Sequence, residues 1–162
     1  RLNLNLRERN GFTYGVRSRF AFRSQAGPFE VSTAVGTEVT AAAVEEIIRE
    51  LHGLVEEGPI GEEVTACRDF AAGVFGLQLE TAGQIATRIA QLVVYGLPDS
   101  YFHEYRDAVR AVTTEAVTEA ARQHLRPHEA QVVIVGDAKE VSGPLQDLGL
   151  GDLEVRSMKL QP

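Results

Sequence analysis

The residues with the most chemistry for their spacing lie at 6–15, Leu6-Arg7-Glu8-Arg9-Asn10-Gly11-Phe12-Thr13-Tyr14-Gly15. The stretch reads as a helix end, a glycine stop at Gly11 and the opening of a strand. A helix leaves carbonyls unpaired at its C-terminus, and a glycine there takes the left-handed conformation that closes them off. Arg7 falls on the last helical turn and Tyr14 near the strand's start, so a chain reversal can aim both at one place. A guanidinium fork and a phenol at such a break suit a peptide carbonyl or a carboxylate. A second reading stands beside it: an arginine favoured by the helix dipole, next to a tyrosine half-buried in a sheet.

Other chemistry is harder to assemble. A catalytic zinc needs about three protein ligands, two of them usually close on one helix face. His124 and His128 have that spacing but straddle Pro127, where the helix ends, and His52 and His103 have no partner in register. Neither HExxH nor HxxEH occurs. Gly11 to Gly15 lacks the lysine and following helix of a phosphate loop. Ser18, Ser24, Ser32 and Ser142 have no glycine frame for a nucleophile elbow. Glu56-Glu57 and Glu62-Glu63 read as solvated helix ends. By elimination, the expectation is a chain with no catalytic site and no metal site of its own.

These residues sit in 162 positions, 44% hydrophobic and 24% charged, the proportions of a globular chain with one adequate core. The default is therefore one domain, 1–162. Net charge is −7 and the pI about 5.1, which argues against a nucleic-acid or anionic-membrane binder. The longest apolar run, 92–97, is far too short to span a bilayer. Charge is uneven: Arg1, Arg7, Arg9, Arg17, Arg19 and Arg23 crowd the first strand region, where Glu8 is the one acid. That cluster can steer an acidic ligand, or simply form a strand's solvent face. Cys67 is the single cysteine, so no internal disulfide forms. It falls with Val64, Phe70, Ala71, Val74 and Phe75 on an apolar helical stripe and is expected in the core. The opening at Arg1, straight into Leu2-Asn3-Leu4-Asn5-Leu6, reads as a segment cut from a larger polypeptide.

The elements that must position Arg7 and Tyr14 follow from periodicity. From Phe12 the period is two: Tyr14, Val16, Ser18, Phe20 and Phe22 alternate with Arg17, Arg19 and Arg23. A turn at 24–28 precedes a second alternating run, Phe29, Val31, Thr33 and Val35, making an antiparallel hairpin in which Glu30 can meet an arginine. Helical patterns then follow. Val44, Ile47, Ile48, Leu51 and Val55 form one face. A second helix covers 60–79. A third, capped by Thr81, carries Ile85, Ile89, Leu92 and Val93. Asp99 is placed to cap a short helix through Tyr101, Tyr105 and Val109. Thr113 caps another, with Val117, Ala120, Ala121 and Leu125 buried and Pro127 as its stop. The apolar run 131–136 reads as a central strand. A short helix at 144–148 and an edge strand at 153–158 complete the pattern. Segregated strands and helices indicate an α+β two-layer sandwich.

In that order the motifs resemble the C-terminal, inactive-type domain of the insulinase (pitrilysin) family of zinc peptidases. The resemblance is carried by Arg1-Leu2 leading to Leu6-Arg7-Glu8, Gly11-Phe12-Thr13-Tyr14-Gly15, Glu45-Glu46-Ile47-Ile48 and Gly61-Glu62-Glu63. It continues through Leu79-Glu80-Thr81, Gly96-Leu97-Pro98, Val112-Thr113 and Val132-Val133-Ile134-Val135-Gly136-Asp137. It implies a two-layer sandwich of a mainly antiparallel sheet and helices, like that of mitochondrial processing peptidase, with the N-terminal part of the domain absent. It implies a partner half, domain or subunit, bearing HxxEH and the zinc. It implies further that Arg7 holds a substrate carbonyl, that Tyr14 donates to the reacting carbonyl or its oxyanion, and that the hairpin edge receives an extended peptide.

The leading expectation is thus the zinc-free, substrate-binding half of such a peptidase, inert without its partner. The alternatives are a non-proteolytic structural or assembly subunit, or a peptide-binding module with no catalytic partner. Uncovered sheet edges would favour a homo-oligomer. A soluble bacterial protein of the periplasm or cytoplasm fits equally.

Overall fold

The computed structural model describes residues 1–157. A π-type turn, Leu4–Arg9, leads to strand β1 (Val16–Phe20), which pairs antiparallel with β2 (Phe29–Thr33). Among the described residues the α-helices are α1 (Thr40–Glu56), α2 (Gly61–Leu77), α3 (Ala82–Tyr95), α4 (Tyr101–Ala111), α5 (Thr114–His124) and α6 (Ala138–Asp147). Short 3-10 turns lie at Thr37–Val39 and Pro127–Glu129. The α+β reading holds at this coarse level, helices with a two-stranded antiparallel sheet. The chain divides into two compact units. One holds Arg1–Ala21, Pro28–His52 and the chain from Arg126 on; the other holds Phe22–Gly27 and Gly53–Leu125.

The first unit is built on Leu6, Val16 and Ala43, with Leu2, Phe12, Val31, Val35 and Ile47 packed around them. Leu2 and Leu6 stack because residues four apart share a helix face. The expected hairpin forms, in the register Val16↔Thr33 to Phe20↔Phe29. Glu30 finds its arginine: Arg19 donates to it from Nε at 2.9 Å and from Nη2 at 2.8 Å. Phe20 and Phe29 touch across the ladder with ring centroids 4.9 Å apart. The first strand is shorter than its alternation, starting at Val16 rather than Phe12, and Phe20 and Phe22 are exposed. Between Phe12 and Val16, Thr13 and Gly15 bond each other locally, which takes that backbone out of the ladder.

Three further expectations for this unit are corrected. The run 131–136 is not a strand, and Val133 and Val135 are more than four-fifths exposed. An apolar strand needs neighbours to take its backbone groups, and among the described residues no strand pairs with this one. The helix expected at 144–148 begins earlier, as α6, because Asp137 is its N-cap: Asp137 Oδ1 accepts the Lys139 N–H at 2.9 Å. Pro144 lies inside that helix rather than in its first turn. Residues 153–157 carry no strand, and Met158 lies outside the described residues.

In the second unit the helices are closed as their sequence signals require. Thr81 Oγ1 accepts the Gln84 N–H at 3.2 Å while Gln84 Oε1 accepts the Thr81 N–H at 2.9 Å, a reciprocal capping box. Thr113 Oγ1 caps α5 through the Ala116 N–H at 3.1 Å. Two arginines close helix C-termini. Arg122 donates to the carbonyls of Val55 and Glu56, both at 3.2 Å, and Arg68 to that of Val112 at 2.8 Å. After α1 the chain turns at Gly58, φ 79°, where a Cβ would meet the Thr118 hydroxyl at 2.5 Å. Phe75 of α2 packs on Tyr105 of α4 with centroids 4.7 Å apart.

The buried face of α2 differs from the expected one. Val64, Ala72 and Phe75 are buried, whereas Cys67 and Phe70 are exposed. The face is turned so that Arg68 reaches the end of α4, and Cys67 rotates outward with it. Asp99 makes no cap for α4; the Tyr101 N–H bonds the Pro98 carbonyl instead, at 2.9 Å. On α3, Ile85, Ile89 and Val93 are exposed, and the turned-in face carries Arg88, whose guanidinium lies 5.5 Å from the Phe102 ring centroid. Ala120 of α5 is exposed, while Ala121 and Leu125 are buried as expected.

Candidate functional site

The stretch carrying Arg7 and Tyr14 belongs to the first unit, and its local structure explains how each side chain is presented. Leu6 is fully buried (0% exposed) and anchors the turn. Its neighbours on the other side of the turn are polar. Asn5 is buried, and its Nδ2 donates to Glu46 Oε2 at 2.7 Å and to Glu50 Oε1 at 2.8 Å, both on α1. Asn10 closes back on it, donating to Asn5 Oδ1 at 2.6 Å and to the Asn5 carbonyl at 3.1 Å. The Asn10 N–H reaches the same carbonyl at 3.0 Å, the five-residue step of a π turn. π turns are concentrated at functional sites, because the added residue redirects the side chains around it.

Gly11 stops the helix as expected, with φ 64°. The Phe12 N–H then bonds the Leu6 carbonyl at 2.8 Å. That is a Schellman-type closure lengthened by one residue, as the wider π turn demands. Arg7 projects from the outside of this turn. Its side chain is 57% exposed, and its Nε lies 3.4 Å from Glu8 Oε1. Among the described residues its Nη groups bond nothing. Exposed at both ends, that ion pair is worth well under ~1 kcal/mol and yields readily to a ligand.

Tyr14 occupies a bend held by hydroxyls. Thr13 Oγ1 donates to the Ala34 carbonyl at 2.8 Å and accepts the Gly15 N–H at 3.1 Å. Thr33 Oγ1 bonds Thr13 Oγ1 at 2.8 Å and the Gly15 carbonyl at 3.0 Å. One residue on, the Asn3 side chain grips the start of β1 at both backbone groups: Val16 N–H to Asn3 Oδ1 at 3.0 Å, and Asn3 Nδ2 to the Val16 carbonyl at 2.9 Å. The backbone on either side of Tyr14 is thus fixed, yet its side chain is 100% exposed and its hydroxyl has no partner among the described residues. The reading of Tyr14 as half-buried in a sheet is overturned. It precedes the strand rather than lying in it.

Arg7 and Tyr14 are not joined by a hydrogen bond or ring contact among the described residues. What they share is exposure on a stretch whose backbone is pinned from both sides. Sequence reasoning missed the residues that do the pinning: Asn3, Asn5, Asn10, Thr13, Thr33, Glu46 and Glu50. A signal was present. Asparagine competes with the helix for backbone bonds, so Asn3, Asn5 and Asn10 inside a helical run mark an irregular turn.

The donor set does not fit a zinc ion. Among the described residues no three His, Cys, Asp or Glu side chains converge as ligands; Glu8 in the turn pairs with Arg7, and Glu46 and Glu50 of α1 accept from Asn5. A guanidinium and a phenol with free donors can bind carbonyl or carboxylate oxygens but cannot themselves generate a nucleophile.

No protein-family model matches the chain, and no curated protein does. Among solved structures it is similar to the crystal structure of a peptidase M16 inactive domain from Pseudomonas fluorescens, with a TM-score of 0.72 at 25% sequence identity. The likeness supports a non-catalytic, peptidase-like domain. It covers 78% of this chain and 30% of that structure, so the chain spans less than a third of its length. At the level of fold, this agrees with the sequence resemblance to inactive-type domains.

Proposed function

We propose that the chain is the substrate-binding, non-catalytic half of an insulinase-type zinc metalloendopeptidase. In this reading Arg7 holds a carbonyl of an extended peptide, and Tyr14 donates to the carbonyl of the scissile bond and, as charge builds, to its oxyanion. Zinc, carried by an HxxEH-bearing partner domain or subunit, would supply the activated water. The sheet would be completed as a two-layer sandwich by further strands. The observation that carries the reading is Tyr14, a fully exposed phenol with a free hydroxyl on a bend pinned by Thr13, Thr33 and Asn3. The pinned backbone fixes where the phenol starts from, and the partner half with its bound peptide would order the side chain so that its hydroxyl meets the developing charge.

The test uses the full-length protein with its HxxEH-bearing half, zinc and a quenched peptide. Tyr14→Phe and Arg7→Ala each lower kcat/KM by ~100-fold, the order seen on removing one oxyanion donor. The melting temperature stays put, because both side chains are exposed. Unchanged turnover in both variants overturns the proposal and leaves the structural or assembly role. A parent gene, or a neighbouring reading frame, without HxxEH would do the same.

A further inference from the structure

The turn that presents Arg7 and Tyr14 also contains a dipeptide that reacts with itself. The chain has three asparagines, and Asn10 is the one followed by glycine; Asn3 and Asn5 precede leucines. An asparagine amide is thermolabile, because the next residue's backbone nitrogen can attack its side-chain carbon. A glycine in that next position has no Cβ to obstruct the approach and turns freely into the geometry it needs. At Gly11 the local structure adds to this. Apart from its chain neighbours, nothing lies within 4 Å of where a Cβ would stand, and the Gly11 N–H has no partner among the described residues. The N–H groups on either side are engaged, that of Asn10 by the Asn5 carbonyl and that of Phe12 by the Leu6 carbonyl. Asn10 and Gly11 are both exposed, so water reaches them. Attack requires the Asn10 ψ of −20° to change, against the bonds from its side chain to Asn5, so the reaction proceeds as the turn opens locally.

We propose that Asn10 is a modification site, deamidated in the folded protein through Gly11, and that the product disarms the turn. The Gly11 nitrogen bonds to Asn10 Cγ and gives up its proton to water, the Cγ–Nδ2 bond breaks, and ammonia leaves. Water then opens the cyclic imide at either carbonyl. Opening at Cγ gives aspartate; opening at the main-chain carbon gives isoaspartate, with the chain rerouted through the side chain. Water is the one co-reactant. Neither product fits the turn. As carboxylates, Glu46 and Glu50 only accept, so Asn5 must turn Nδ2 to them and Oδ1 to Asn10. Residue 10 therefore has to donate, which an amide does and a carboxylate does not. Turning the Asn5 amide over would satisfy the new carboxylate but set Oδ1 against two others. Asn5 is buried, where facing acceptors without a donor between them cost most. Isoaspartate also lengthens the backbone between the Asn10 and Phe12 N–H groups that close the turn.

The test incubates the full-length protein at mildly acidic and mildly alkaline pH and counts acid for amide at each asparagine by tandem mass spectrometry. Asn10 converts, faster at alkaline pH, where more of the Gly11 nitrogen is deprotonated; Asn3 and Asn5 keep their amides. In Asn10→Asp the backbone amides of residues 10 and 12 exchange hydrogen ~10-fold faster, the order expected for one lost hydrogen bond. If that variant does not fold, aged wild-type protein, converted after folding, is read by the same exchange. Asn10 no more converted than Asn3 and Asn5, or exchange at residues 10 and 12 unmoved by the conversion, overturns the inference. Its consequence for turnover rests on the peptide-binding reading above: cleavage of the quenched peptide falls as the converted fraction rises. Conversion and faster exchange, with cleavage indifferent to Arg7→Ala and Tyr14→Phe, uphold the modification and refute that reading. Cleavage lost in those two variants, with Asn10 unconverted, does the reverse.

Discussion

Two stretches of the first unit invert the usual relation between apolar sequence and order. The segment 131–136 contains an unbroken run of β-branched residues, yet it makes no ladder and leaves Val133 87% exposed. The stretch around Asn5 and Asn10 is polar and broken by glycine, yet its hydrogen bonds run to α1, β1 and β2 residues far away in sequence. The difference lies in what each needs. A π turn satisfies its backbone within itself and, here, through asparagine side chains placed close by in sequence. A central strand must find its partners elsewhere, and hydrophobicity supplies no hydrogen bonds.

The comparison is broken or sharpened by a graded set of substitutions. The largest effect belongs to Leu6→Ala, which removes the fully buried anchor of the π turn. A loss of ~2–5 kcal/mol is expected in chemical denaturation, and a loss under ~1 kcal/mol would show that the turn is not anchored by packing. Next comes Asn5→Ala. It strips the amide shared by Glu46, Glu50 and Asn10, while Glu46 keeps Arg49 and Asn10 keeps the carbonyl of residue 5, for ~1–3 kcal/mol in the same measurement. Stability unchanged by that variant would place the turn's order in the apolar contacts alone.

Val133→Lys is the counter-case. At so exposed a position the unfolding free energy should move by less than ~0.5 kcal/mol. An exposed β-branched run is an aggregation-prone segment, which adds a second readout: any self-association seen by sedimentation should weaken in the lysine variant. A loss of several kcal/mol would mean the segment is a paired strand in solution. The smallest effect concerns Glu115, whose carboxyl is held below the ordinary carboxylate range by its own backbone N–H and then by Thr113. A carboxyl with a depressed folded pKa adds stability above its unfolded pKa, and this is lost as pH falls through the folded value. Acidification below the usual carboxylate range should therefore fray the first turn of α5. Glu115→Gln should flatten that part of the pH profile.

The local signals were legible in the sequence because they are satisfied within a few residues. Gly11 and Gly96 close helices in the left-handed conformation; Thr81 and Thr113 cap; the hairpin forms between its two alternating runs. Arg7 and Tyr14 could be singled out by type and place. Asp137 was as readable as Thr113 and went unread because Pro144 drew the helix start toward itself. What sequence alone did not decide is which apolar faces are covered. Cys67 and Phe70 face outward because Arg68 turns inward to the end of α4, and Tyr14 is exposed because two threonine hydroxyls and Asn3 bend the chain before the ladder begins. Capping and turn chemistry act over one helical turn, so they are determined by neighbours in sequence. Burial and strand pairing depend on groups distant in the chain, and only the folded arrangement chooses among them.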